Sequence, residues 1–398
     1  MNRGRKLGSL TLALVVGACG GEEGGGGGNP PPPPGETIDL VTTFPVPSNY
    51  GIHDTFVREG LAFVSAWNTG LIILDVGHGI RSGTPAVPVE VSRITPPPTS
   101  TPCACTHNAW WFHNPATSEK RYVFLGQEGP STLGSKSSGD INAVDVSDLA
   151  NPQLVGTFHT NGAGSHNFWM DEPRAILYAA YYNGGVLSLD VSGILSGALE
   201  LRSHTLVKPA GDPSTFTWGV QYVPQRNAVY ASDMESGLWQ LAPDAGPSLR
   251  VTGGGFNVPS RWTSDLWIHG DYAYTGTWGG GPRNGVYGNA LFTWRLNASG
   301  APVLADSVLF STIGTISDVE VAPDGRHLLL TTENGVGGGL YLYSLADPVK
   351  PLLVAQYLVR TGLHTGTFAE IGGRRYVFAA KNPGSPALMI FDVTPIVQ

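Results

Sequence analysis

GLIILDV at residues 70–76 and DINAVDV at 140–146 share one layout: a small or polar opening, an apolar run, then Asp-Val. The phrase returns as GVLSLDV (185–191), GLWQLAP (237–243), ALFTWRL (290–296), GLYLYSL (339–345) and ALMIFDV (387–393). Seven copies spaced by about fifty residues, each short and apolar, are the signature of a closed radial array of sheets. The repeat therefore overrides the prior of two or three domains that length alone would suggest.

The sequence around each copy supplies the rest of a unit. A polar pair and a short apolar run come first: HDTFV at 53, HNAWW at 107, HNFWM at 166, TWGVQ at 217, SDLWI at 264, SDVEV at 317 and HTGTF at 364. A second run follows a turn, as in LAFVSA at 61, RYVFLG at 121, AILYAA at 175 and HLLLTT at 327. The Asp-Val phrase is the third run. A fourth follows a Pro-bearing turn, as in PQLVGTF at 152 and KPLLVAQYL at 350. These segments are β-branched and aromatic and are bounded by turn residues, so they read as strands; no sustained helical period occurs. The last unit ends at Asp392-Val393 without a fourth strand, while TIDLVTTF (37–44) is a strand without a unit. Joining the two would remove two exposed edges. The expectation is an all-β, seven-bladed β-propeller over residues 36–398, closed by its N-terminal strand in the last blade.

INAVDVSDLANPQLVGTF (141–158) resembles the LVIVD repeat of bacterial surface β-propellers, as does SLADPVKP at 344–351; Asp-Val-Ser at 190–192 is a partial copy. Units four and five depart from it, with LAPDAGP and WRLNASG in place of the Asp-Val-Ser turn. The resemblance implies fold and surface location and little chemistry.

Residues 1–19 read as an address. Arg3, Arg5 and Lys6 precede an apolar run from Leu7 to Val16, too short to span a bilayer, and then Val-Gly-Ala-Cys at 16–19. This resembles the bacterial lipoprotein signal, in which cleavage leaves Cys19 as the lipidated N-terminus. Gly20, rather than Asp, after the cysteine implies the outer membrane. Residues 20–35, a Gly run and five prolines, read as a tether. The expected location is the cell envelope, with the membrane reached through the N-terminal lipid. The sequence carries 23 Lys and Arg against 31 Asp and Glu, a net charge of -8. No basic face follows from that balance, so a nucleic-acid partner is not expected.

The polar pair that opens each unit is where chemistry is expected. Its first members are His53, His107, His166, Thr217, Ser264, Ser317 and His364; the second include Asp54, Trp218, Asp265 and Asp318. Equivalent strand starts gather at the mouth of a propeller channel, and the four histidines come from adjacent blades. They are candidate ligands for a transition metal, Cu or Zn, or alternatively repeated loop caps bonded to backbone carbonyls. Alternation along a strand opposes both members of a pair reaching one ion. Cys103, Cys105 and His107 share a face if extended, which allows a metal site or a Cys103–Cys105 disulfide. Turns after the second strand add Trp67, Gln127, Glu128, Tyr181, Tyr182, Asp233, Glu235, Trp278, Glu333 and Lys381; of these Glu128, Tyr182, Asp233 and Glu333 are candidate ligand-facing groups. No G-x-S-x-G elbow or phosphate loop is present. Three functions compete: a lipid-anchored module binding an envelope protein, glycan or small ligand on the channel face; a metal-dependent enzyme, an oxidase for instance, with the histidines as ligands; and a scaffold for envelope assembly.

Overall fold

The computed structural model describes residues 37–397 except 49–50, 99, 130–132, 134, 197–202, 212–214, 298–301 and 382–384. The signal, Cys19 and the tether lie outside the described residues.

Seven four-stranded antiparallel sheets surround one axis. The innermost strands are Asp54–Arg58, Thr106–Phe112, Phe168–Asp171, Thr217–Val223, Trp262–His269, Thr315–Val321 and Gly366–Ile371. Within six blades the strand order follows the chain, as expected when consecutive runs are joined by tight turns. The seventh takes three strands from the C-terminus and its outermost from Asp39–Pro45. That strand pairs antiparallel with Ala387–Asp392, from Asp39 opposite Asp392 to Pro45 opposite Ala387. The expected blade number and closure are both observed.

The middle two strands of each blade are almost wholly buried, which explains their unbroken apolar runs. The outermost strands are largely exposed. Each of the seven blade-to-blade interfaces has its own apolar cluster. The closing segment belongs to two of them: Ile38 packs between blades six and seven, and Val46 between blades seven and one. The only α-helix among the described residues is one turn, Ser192–Leu195.

The Asp of the repeated phrase is a turn device. Asp75 accepts backbone N–H bonds from Gly77 (3.0 Å), Gly79 (3.2 Å) and Arg81 (2.6 Å). Asp145, Asp190 and Asp392 accept the N–H two residues on, from Ser147, Ser192 and Thr394. Short polar side chains that bond the backbone just ahead stabilise turns in this way. Burial pushes the Asp75 carboxyl up, yet the converging N–H donors outweigh it and hold it at about 2.

Candidate functional site

The inner strands run side by side down the axis, so their side chains form layers. The upper layer is His53, His107, His166, Trp218, Ser264, Ser317 and His364. Its position follows from a recurrent irregularity. Strand pairing slips across His107 (Thr106 to Asn108), Trp218 (Thr217 to Gly219), Ser317 (Ile316 to Asp318) and the pair Ser264–Asp265. A bulge re-aims the extra residue out of the pleat. In blade four the sequence reading took Thr217 as the first member and Trp218 as the second. The bulge makes Trp218 the equivalent of His107, and Gly219 the equivalent of Asn108.

The histidines and Trp218 line an open bowl of about 570 Å³ at one mouth of the channel, together with Glu128 and Tyr182. Its walls are apolar: Leu133, Phe216, Met234, Trp262 and Trp278. On its floor the rings of His107 and His166 are 4.1 Å apart, and those of His53 and His364 4.8 Å. Candidate ligand atoms of His53, His107 and His364 lie within 4.8 Å of one another, as do those of His107, Glu128 and His166.

Each ring has a distinct support. His53 stacks on Trp67 at 4.1 Å. His166 Nδ1 lies 2.6 Å from the Trp218 carbonyl, so Nδ1 carries the proton and donates it, leaving the lone pair on Nε2. His364 Nδ1 is 3.2 Å from Glu333 Oε1. Glu128 Oε2 lies 3.7 Å from His107 Nε2 and 3.8 Å from His53 Nδ1. Its other oxygen accepts the Tyr182 hydroxyl, and its backbone N–H donates to the Cys105 carbonyl at 2.8 Å. Both ring nitrogens of His107 and Nδ1 of His53 are buried without a hydrogen-bond partner. Such a group costs about 1–3 kcal/mol. Trp67, Cys105 and Tyr182 all have positive φ, 45°, 44° and 42°. Backbone strain of this kind in bulky side chains collects around sites where geometry is over-determined.

Burial holds His53, His107 and His166 well below the ordinary imidazole value, so at neutral pH they are uncharged. His364 differs. Burial pushes it down, but Glu333, Glu128 and Asp318 outweigh this and raise it. Burial lifts Glu128 to about 7 against the downward pull of the Tyr182 hydroxyl.

The second layer is separate. Asp54, Asn108, Asn167, Asp265 and Asp318 line a cavity of about 270 Å³ further down the channel. Asn167 donates to Asp265 at 3.0 Å. Burial, and then the carboxylate of Asp318, raise Asp54 to about 7 and lift Asp265 well above the usual range. A third layer, two residues further along, puts Phe56, Trp110, Trp169 and Trp267 against one another, with ring centroids 5.1–5.6 Å apart. These rings stand between the acidic cavity and the opposite mouth.

The sequence candidates therefore divide. The four histidines, Trp218, Glu128 and Tyr182 share the bowl, with Glu333 against His364. Asp54, Asp265 and Asp318 face the lower cavity instead, because neighbouring strand residues point to different places. Asp233 accepts N–H bonds from Phe216, Glu235 and Ser236 and is a turn support. Tyr181 bonds the Gly139 carbonyl between blades, and Lys381 bonds the Ser385 carbonyl. Cys103 and Cys105 form a disulfide, which leaves no thiolate to join His107. Sequence reasoning missed Phe216 and Met234, which come from segments beside the inner strands, and Trp262, which opens the inner strand of blade five ahead of the repeated pair. It also missed the third layer, which reading every second residue after Asp54, Asn108, Asn167 and Asp265 would have found.

The LVIVD-repeat profile matches residues 53–95, 137–160 and 260–281. The chain carries LVIVD repeats. The copy expected at 141–158 falls in a matched segment; the one at 344–351 does not, whereas residues 260–281, in a blade whose turn departs from the motif, do. No curated protein matches the chain. Among solved structures, the β-propeller domain of Cps50 (Swd1) from Myceliophteria thermophila aligns with a TM-score of 0.59 at 11% identity, covering 90% of this chain and 100% of that one. Likeness at that identity establishes the propeller fold alone. In this LVIVD-repeat propeller the Asp of the repeated phrase builds turns, and the bowl draws on residues both inside the matched segments (His53, Trp262, Trp278) and outside them (His107, His166, Trp218).

Proposed function

We propose that this protein is a lipid-anchored binding module of the cell envelope that takes a small, partly apolar ligand into the bowl at the channel mouth. One observation carries the reading: a concave space of about 570 Å³ with aromatic walls over a polar floor. Apolar concavity with a few convergent polar groups is the usual form of a small-molecule site. Trp218, Trp262 and Trp278 offer ring faces for stacking, and the imidazoles and Glu128 offer donors and acceptors to fix orientation. The envelope location rests on the N-terminal sequence: the basic start, the short apolar run and Cys19, followed by a Gly/Pro tether. A rigid propeller whose loops surround one mouth also suits a larger partner, protein or glycan, at the rim.

The test has two arms. Ligand-observed NMR with a library of aromatic and monosaccharide fragments is expected to give hits that Trp218→Ala and Trp278→Ala abolish. Fragments that bind wild type and both variants equally would refute the bowl. Cys19→Ala is expected to move the protein from the membrane to the soluble fraction and to remove a lipid mass. An unchanged membrane fraction would refute the anchor.

A further inference from the structure

We infer that the floor of the bowl is a transition-metal site, with His107, His166 and Glu128 as ligands to an ion of the copper or zinc class and His53 beside them. This rests on reading the bowl as a ligand site and names what lies at its base.

The argument begins with what the floor lacks. A neutral imidazole has one N–H to donate and one lone pair to satisfy. His107 is buried with neither nitrogen bonded, and His53 Nδ1 is in the same state. Buried polar atoms without partners are rare in folded proteins, and each calls for an explanation. Other such atoms occur elsewhere in the blades, on Ser188 and Tyr230 for example, but those of His53 and His107 face one another and the Glu128 carboxylate across less than 4.8 Å. Ligand atoms around a tetrahedral ion at about 2.0–2.1 Å stand about 3.4 Å apart. Glu128 Oε2 is already within 3.7–3.8 Å of two imidazole nitrogens, so shifts of a few tenths of an ångström close that part of the sphere.

The surroundings are arranged as a metal would require. His166 donates its Nδ1–H to a backbone carbonyl, which fixes the tautomer and turns the Nε2 lone pair towards the floor. Tyr182 holds one Glu128 oxygen and leaves the other turned to the histidines. The Cys103–Cys105 loop supports the same residue through the Cys105 carbonyl. Repetition alone does not produce this set, because Glu128 and Tyr182 lie outside the repeated pair. The loop-cap alternative accounts for one nitrogen of His166, at the Trp218 carbonyl, and for the approach of the His107 ring to the His166 backbone, but not for a Glu128 carboxylate turned towards two imidazoles.

Donor chemistry selects the ion. Imidazoles with one carboxylate suit Zn, Cu, Fe or Ni, while Ca and Mg take oxygen sets. With three protein ligands, the fourth position of a tetrahedral ion faces the bowl and is open to an incoming ligand. His364, beside Glu333, has a candidate ligand atom within 4.8 Å of those of His53 and His107 and is a further ligating group on the same floor.

The experiment uses the full chain, stripped with a chelator and titrated separately with Cu(II) and Zn(II). One equivalent of at least one ion is expected to bind, with nitrogen hyperfine splitting in the Cu(II) electron paramagnetic resonance spectrum. His107→Ala should weaken binding by about 100-fold or more, and Glu128→Gln by about 10-fold or more. His78→Ala, on a turn far from the floor, is the control and should leave binding unchanged. Should His107→Ala not fold, His166→Gln and Glu128→Gln decide. Absence of stoichiometric uptake by folded wild type, or equal affinity in wild type and these variants, overturns the assignment. Fragment binding to the stripped protein separates the two readings: Trp218-dependent binding without metal uptake leaves the bowl and removes the metal, and metal uptake without fragment binding does the reverse.

Discussion

Ile38→Ala should cost about as much as a core truncation, although the residue lies at the extreme N-terminal end of the described fold. Ile38 is 6% exposed and packs with Leu340, Leu342, Val377 and Phe391 in the interface of blades six and seven. Replacement by Ala removes three carbons. At about 0.8 kcal/mol for each buried methylene, the transfer loss is about 2.4 kcal/mol. The unfilled space beside blade six raises the expected cost into the range of about 2–5 kcal/mol. Total stabilities run to about 5–15 kcal/mol, so a single side chain in the closing segment would carry a sizeable share. Guanidinium unfolding of the full chain, followed by tryptophan fluorescence and by circular dichroism, measures it. Both probes should shift together, because opening the ring exposes two edges and two interfaces at once. Thr43→Ala, at an exposed position of the strand Asp39–Pro45 that Ile38 leads into, is the control and should stay within about 0.5 kcal/mol. An Ile38→Ala cost below about 1 kcal/mol, no greater than that of the control, would refute the idea that this strand holds the ring shut.

Two further outcomes are expected. Asp75→Ala should destabilise the protein by about 1–3 kcal/mol in the same assay, because it strips acceptors from the N–H groups of Gly77, Gly79 and Arg81; no change would mean that the repeated Asp is not a turn support. Asp54 tests the lower cavity through pH. Its carboxyl, lifted to about 7 in the fold from an ordinary 3.8, binds a proton between those values that the unfolded chain lacks. Its contribution is therefore fully present below about pH 4 and is lost as pH rises through 7. Asp54→Asn should gain stability relative to wild type at pH 8 and lose that advantage by pH 4. A wild-type-to-variant difference that does not move with pH contradicts the shift. Comparing variant with wild type cancels the opposing slope from the neutral histidines, whose depressed values favour the fold as pH rises.

Much of this architecture was legible because a propeller is local and repetitive. Each blade is four consecutive runs, and each run has the composition its burial demands: unbroken apolar in the middle strands, mixed at the edge. The orphan strand at 37–44 and the incomplete last unit pointed to each other by count alone. The histidines were legible for the same reason, since equivalent starts of inner strands must approach the axis. Blade four was misread by one residue because a bulge leaves no mark in composition. TWG at 217–219 can be aligned either way until strand pairing sets Thr217 opposite Asp233 and Gly219 opposite Ser232.

What the chain determined by itself was the number of blades, their closure and the four histidines that gather on one arc, because duplication and period fix these without any knowledge of contacts. Only the tertiary structure separated the imidazole floor from the carboxylates of the next layer, since one peptide step along a strand changes direction but not composition. It also brought Glu128 and Tyr182 to His107, and chose a disulfide for Cys103 and Cys105. Those relations join residues from different blades and loops, and distance across a ring is not encoded in any single repeat.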